Sequence, residues 1–315
     1  MKTYSKIIPP IINQSLNKNW LNVFLFNSSI QSVIGRMIID RFKIKNENIL
    51  LVSSRNTDLS LFNHQSIKIY PGKYERYLDK LFFYSTRGGK ILKVIKKSKK
   101  HFLLFTPMAD KETNWLLSKQ NCEGHVYIEN GQHSWMNQLP YSYMNTSYIE
   151  RFKLNWRNRM IDGYRYRNDA SAFIGIHYDS FPDINSEKKF ILNNLNNLKK
   201  YYTQKLKGIN TIGLTCASRR LKDGELKLML NKLIQKTPPG SVIKPHPSFT
   251  SNNRIYNEFK KSFNEVNKGK LALCKDNVIL ELEMLYEKKQ IIGPQTSLSK
   301  YSVFLGSSFK SIQLY

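Results

Sequence analysis

Two segments carry residues whose types and spacing could do chemistry. Ile243-Lys244-Pro245-His246-Pro247-Ser248 sets an imidazole between two prolines, with a lysine two residues ahead. Far upstream, Tyr127-Ile128-Glu129-Asn130-Gly131 ends an apolar run on a carboxylate and a glycine turn. A positioned carboxylate within reach of an acceptor hydroxyl serves as a general base, and Glu129 is the candidate, at the mouth of its domain. The prolines fix the local backbone, so the direction of the His246 ring is largely preset. An imidazolium beside a departing phosphate neutralises developing charge or donates a proton, and Lys244 adds a cation. Together the two segments point to group transfer from an activated, phosphate-bearing donor. Taken singly, each has a plainer reading: Glu129 as a turn glutamate capping the next helix, His246 as a turn histidine after a strand. The other histidines, His64, His101, His125, His133 and His177, have no such context and read as structural or surface residues.

A third segment is Ile291-Ile292-Gly293-Pro294-Gln295-Thr296-Ser297. A buried strand ends, Gly293-Pro294 turns, and hydroxyl residues open a helix. Helix N-termini offer unused N–H groups and a positive dipole end, which suits phosphate. Thr296 and Ser297 read equally as plain N-caps, and the two roles are compatible. Thr215, just past a strand, Pro247 and Pro294 are further donor-side candidates.

These segments need strands to carry them. Asn22–Phe26 is a short apolar run, followed by Asn27-Ser28-Ser29 and by helical spacing of Ile34, Met37, Ile38 and Phe42. This is a strand–loop–helix unit opening an α/β domain. Further strands are expected at 49–52, 66–70, 102–105 and 125–129, with helices at 74–84 and 111–119. The second half repeats the pattern, with strands at 211–214, 242–244, 270–273, 290–293 and 311–315. Helices are expected there at 224–236, 278–286 and 297–304. An irregular polar zone follows position 179, and 191–202 reads as a surface helix. Domains are expected at 1–175, carrying the base, and 176–315, binding the donor. The fold class is α/β of GT-B type, two Rossmann-like doubly wound domains facing a cleft at their strand carboxyl ends.

Composition agrees with two packed domains. The 315 residues are 41% hydrophobic and 12% aromatic, enough for two cores and too apolar for disorder. Formal net charge is +27, from 50 Lys+Arg against 23 Asp+Glu, which calls for an anionic partner or surface. The densest basic stretches are 93–101 and 151–167, each equally readable as a solvated face. No zinc-knuckle spacing, RNP-like aromatic signature or basic heptad region appears, so nucleic acid is not expected. An anionic membrane surface or a lipid-linked sugar fits better. Three scattered cysteines, Cys122, Cys216 and Cys274, give neither a disulfide framework nor a zinc site. No signal-peptide core or spanning stretch appears, so a cytoplasmic protein, peripheral on the inner membrane face, is expected. No Walker loop, G-x-G-x-x-G, serine elbow or Asp-x-Asp pair appears, which weakens kinase, dehydrogenase, hydrolase and metal–nucleotide readings. No metal or cofactor is expected.

The motif order resembles the bacterial sialyltransferases of GT-B type, which carry acidic-acidic-Gly, His-Pro and Ser/Thr motifs in sequence. Here these stand as Glu129-Asn130-Gly131, His246-Pro247 and Thr296-Ser297. Val23 to Gln31 also looks like the first strand and Gln-ending loop of the lipooligosaccharide sialyltransferase family. The resemblance spans about 22 to 310. It implies inverting, metal-independent transfer of a nonulosonic acid, sialic acid by default, from its CMP-activated donor to a glycan or lipid-linked glycan hydroxyl. By matched positions, Glu129 is the base, His246 assists CMP departure, and Thr296 and Ser297 hold its phosphate. Glu281 hydrogen-bonds the ribose. Asn27, Ser28, Gln31 and Gly131 line the donor or acceptor side. Asn130 departs from the pattern: if the base belongs to the second acidic position, this chain lacks it. Two alternatives stay open, a CDP-alditol phosphotransferase of teichoic-acid type and a non-catalytic basic module binding glycan or nucleic acid.

Overall fold

The computed structural model describes residues 8–54, 57–64, 66–69, 89–109, 111–135, 166–167, 169–218, 221, 224–250, 253–275 and 277–313. The chain forms two compact units, Met1–Asn194 and Leu195–Tyr315. Each is an α/β unit built on an all-parallel sheet, the fold class expected from the sequence.

Among its described residues unit 1 has seven strands: β1 (Leu21–Phe26), β2 (Ile49–Ser54), β3 (Ser66–Ile69), β4 (Phe102–Thr106), β5 (Cys122–Ile128), β6 (Ala172–Gly175) and β7 (Lys189–Ile191), in the order 3-2-1-4-5-6-7. Every residue of β1 and β4 is buried, as parallel strands covered on both faces require. Leu21, Val23 and Leu25 pack with Leu50, Val52, Phe102 and Leu104 in one core cluster. The alternate residues face the other way, where Phe24 stacks on Phe105 with ring centroids 4.3 Å apart. Phe24 is fully buried, and truncating it to alanine costs about 3–5 kcal/mol.

Helix α1 (Pro10–Asn17) opens on a proline, whose missing N–H goes unneeded there. Helix α2 (Ser29–Phe42) buries Ile34, Met37, Ile38 and Phe42 and ends on Lys43 in the left-handed conformation, φ 51°. Residues 89–98 form α3, which turns Ile91 and Ile95 into the core and leaves Lys93, Lys96 and Lys97 exposed. Helix α4 (Lys111–Leu117) precedes β5.

Among its described residues unit 2 has five strands: β8 (Thr211–Leu214), β9 (Val242–Lys244), β10 (Ala272–Leu273), β11 (Gln290–Gly293) and β12 (Ser308–Ser311), in the order 10-9-8-11-12. Helices α5 (Glu225–Lys236) and α7 (Asn253–Asn267) pack Met229, Leu230 and Leu233 against Phe249, Phe259 and Phe263. Helix α6 (Pro247–Thr250) is a single turn; α8 (Leu280–Tyr286) and α9 (Ser297–Phe304) complete the unit.

Strand order reverses between β1 and β4 in unit 1 and between β8 and β11 in unit 2. In open parallel sheets ligands bind outside the strand carboxyl ends at such reversals. Asn27–Gln31 follows β1, Thr215 follows β8 and Pro294–Ser297 follows β11, all at these reversals, while Glu129 and His246 follow the adjacent strands β5 and β9.

Some expectations shift. The boundary expected at 175/176 falls at 194/195, because β6 and the three-residue β7 both join the first sheet. The surface helix expected at 191–202 is a 3-10 segment, Leu195–Tyr201, that buries Leu195 and Leu198. The irregular segment after it is pinned to α8: Glu283, fully buried, accepts from Tyr202 O–H (2.6 Å), Lys205 N–H (2.8 Å) and Leu206 N–H (3.0 Å). The strand expected from 311 instead runs Ser308–Ser311, and 314–315 lie outside the described residues. The helix expected at 74–84 and most of the basic stretch 151–167 lie outside the described residues. No described helix is long and apolar enough to cross a membrane.

Candidate functional site

At the carboxyl end of β5, Gly131 has φ 55°, a left-handed conformation that glycine adopts without strain. It turns the chain into a 3-10 segment, Gly131–Trp135. Glu129, expected at the mouth of its unit, is instead fully buried. Its Oε2 accepts from the backbone N–H of Ile176 (2.7 Å) and of His177 (3.3 Å), and its Oε1 accepts from Trp135 Nε1–H (3.0 Å). The carboxylate therefore caps the carboxyl end of β6, the neighbouring strand. Gly175 makes this possible, since a Cβ there would stand 2.7 Å from Glu129 Oε2. The same indole N–H lies 3.3 Å from Ser180 Oγ.

At the carboxyl end of β1, Gln31 was expected to line the cleft; it is fully buried and works as a brace. Its Oε1 accepts from Asn27 N–H (2.6 Å), and its Nε2 donates to Asn27 Oδ1 (2.8 Å) and Asn130 Oδ1 (2.6 Å). Asn130 N–H donates in turn to Ser134 Oγ (2.7 Å), which lies 3.0 Å from Tyr166 Oη. Ser28 is the N-cap of α2, but its side chain makes no capping bond, and its buried Oγ has no partner among the described residues.

In unit 2, β9 delivers the Lys-Pro-His-Pro segment to the β8 end. Thr215 is buried and its Oγ1 accepts from His246 N–H at 2.8 Å. The imidazole itself caps α6: Ser248 N–H donates to His246 Nδ1 at 3.1 Å. Ser248 Oγ also lies 3.0 Å from Nδ1 and accepts from Ser218 N–H at 2.8 Å. A backbone N–H can donate only, so Nδ1 is an acceptor and the ring proton sits on Nε2. His246 thus presents a neutral Nε2–H donor, where the sequence reading had an imidazolium. Pro247 is the first residue of α6, where its fixed φ suits the turn.

Lys244 Nζ donates to Val278 O at 2.8 Å. Burial raises the pKa of Glu281, in the first turn of α8, and the Lys244 charge opposes that rise. Past β11, buried Pro294 leads to Thr296, the N-cap of α9, and to Ser297, its first residue. The Thr296 side chain makes no capping bond, and its buried Oγ1 has no partner among the described residues. Of the two sequence readings for this hydroxyl, side-chain capping is not made here.

Ser248, Ser218, Trp135 and Gly175 escaped the sequence reading as site residues. Ser248 had a signal, since a hydroxyl two residues after a histidine caps or orients it; the others act across the sheet with none. Among the described residues no three His, Cys, Asp or Glu side chains group as metal ligands, and the three cysteines form no disulfide.

No protein-family model matches the sequence, and no characterised protein matches it by sequence search. Solved structures do match in fold. A UDP-GlcNAc 2-epimerase from Neisseria meningitidis bound to UDP-GlcNAc aligns at TM-score 0.53 and 13% identity, covering 93% of this chain and 82% of that one. The MnaA–UDP structure from S. aureus aligns at TM-score 0.55 and 10% identity, covering 93% and 79%. The GT-B domain of a Photobacterium damselae sialyltransferase is also matched, at TM-score 0.42 and 10% identity, covering 90% of this chain and 87% of that one. At these identities the likeness is one of fold.

Proposed function

We propose that the chain is an inverting glycosyltransferase. It moves a nonulosonic acid, sialic acid first, from its CMP-activated donor to a hydroxyl of a bacterial surface glycan, without a metal. The observation that supports this most is His246. Its ring is oriented by two contacts from Ser248 to Nδ1, which leaves Nε2 as the nitrogen that carries the proton and would bond the departing CMP phosphate. A preorganised donor aimed at developing charge needs no rearrangement during the reaction. Thr296 Oγ1 and Ser297, at the start of α9, hold the phosphate, and Glu281, Lys244 and Thr215 complete the nucleotide side. Glu129 takes the acceptor proton; to do so its Oε1 exchanges the Trp135 bond for one from the acceptor hydroxyl. The exposed lysines of α3 meet the anionic surface that carries a lipid-linked acceptor.

A second reading is favoured by the fold likeness: the Neisseria structure holds UDP-GlcNAc and the S. aureus one UDP, so a UDP-sugar is the competing ligand. Melting curves with CMP, CDP, UMP and UDP separate the two. A nucleotide at 100 times its Kd stabilises the folded protein by about 2.7 kcal/mol. CMP alone should raise the melting temperature, and CMP-sialic acid with galactoside acceptors should then release CMP in the presence of EDTA. Stabilisation by UDP alone would reject the CMP donor and leave the UDP-sugar reading.

A further inference from the structure

The Gln31 brace fixes the polarity of two asparagines. Asn27 N–H can only donate, so the Gln31 atom it meets at 2.6 Å is the amide oxygen. The other end of Gln31 is then the amide nitrogen, which can only donate. The atoms it meets on Asn27 and Asn130 are their oxygens. Each asparagine therefore turns its own NH2 group away from Gln31. Asn130 is only 9% exposed, and neither of its bonds, from Gln31 Nε2–H to its Oδ1 and from its own backbone N–H to Ser134 Oγ, uses its Nδ2. Ser28 Oγ, buried at the N-cap of the fourteen-residue α2, is without a partner among the described residues. Gln31 lies in the first turn of that helix and ties Asn130 to its N-terminus.

We propose that Asn130 Nδ2, with Asn27 Nδ2, Ser28 Oγ and the first N–H groups of α2, forms a subsite for the carboxylate of a sugar acid. Every group offered there can donate a hydrogen bond, and a helix N-terminus favours negative charge. A carboxylate is acceptor-only and complements this set. The sequence left position 130 as an apparent loss, an asparagine where an acid would stand. The geometry makes it a gain: an acid at 130 would still accept from Gln31 but would turn a second oxygen, not a donor, toward the subsite. The identity of the acid, a nonulosonate, rests on the function proposed above; the carboxylate subsite does not.

The test uses the full chain labelled with 15N and titrated with N-acetylneuraminic acid, glucuronic acid and glucose. The Asn130 side-chain NH2 signals are assigned by their absence in N130D. A sugar acid should move those signals and glucose should not. N130D, which keeps the Gln31 bond, should keep its melting temperature and bind the acid at least about tenfold more weakly. Unmoved signals with both acids, or equal binding by N130D, would overturn the subsite. So would faster turnover by N130D, which would mark 130 as the place of a base. Glucuronic acid binding without N-acetylneuraminic acid would uphold the subsite and reject the nonulosonate.

Discussion

Ser248 meets His246 Nδ1 twice, through its backbone N–H at 3.1 Å and its hydroxyl at 3.0 Å. The hydroxyl is itself held by Ser218 N–H. S248A keeps the backbone bond but frees the ring on one side and strips Ser218 N–H of its acceptor. Kcat should fall about five- to tenfold, the worth of one net hydrogen bond of roughly 1 kcal/mol, with KM little changed. S248T should recover most of it. H246A should lower kcat by about 10²–10⁴; a near-normal rate would remove His246 from the chemistry.

Glu129 is a structural carboxylate whatever else it does. The sequence alone leads one to expect E129A to fold normally and lose only turnover. In the structure, alanine strands three donors, Ile176 N–H, His177 N–H and Trp135 Nε1–H. At about 1–3 kcal/mol per buried unsatisfied group, E129A should lose several kcal/mol in urea unfolding. G175A should lose about 1–3 kcal/mol by pressing on the same oxygen. An unchanged urea midpoint for E129A would mean the carboxylate is not seated as described.

Thr296 offers the opposite trade. Its buried Oγ1 is unpartnered among the described residues, so T296V removes a hydroxyl that costs stability. Melting temperature should hold or rise slightly, while KM for the nucleotide-activated donor should increase severalfold. A fall in melting temperature with unaltered KM would show that the hydroxyl is part of the fold alone.

His125 sets a pH dependence. It is buried, and burial is the main cause that lowers its pKa to about 4, against a smaller upward pull from Asp169; Arg167 and Lys188 push down as well. Between about pH 6.5 and 4 the unfolded chain binds a proton that the folded chain refuses. Stability from this group is therefore fully present above pH 6.5 and falls as the pH drops toward 4, by up to about 3 kcal/mol. H125N should flatten that slope in urea unfolding followed across this window.

Much of the fold was legible because parallel strands buried on both faces leave continuous apolar runs. Thr211–Leu214, Val242–Lys244 and Gln290–Gly293 lie where the sequence puts them. Lys189-Phe190-Ile191 is too short and too charged to announce a strand, so the unit boundary was drawn early. Asn253–Asn267 carries its apolar residues on one narrow face among many polar ones, and α1 is only eight residues long; neither was read as a helix. Of the site, the strand-end motifs could be placed from local sequence. The partners of Glu129 could not, because the Ile176 and His177 N–H groups lie far along the chain and reach it only once β6 pairs with β5. Gln31 misled for the same reason: an amide at a strand end looks available until Asn130 arrives beside it.

Each sheet is drawn from one uninterrupted stretch of chain, all of β1–β7 before any of β8–β12. During synthesis the first hydrophobic core therefore becomes complete as soon as β7 leaves the ribosome, while the second is still being made. Domains fold as units, amino-terminal first. The slow long-range pairings of a parallel sheet are thus met in two instalments, and the apolar strands of neither half need wait, exposed, for residues of the other.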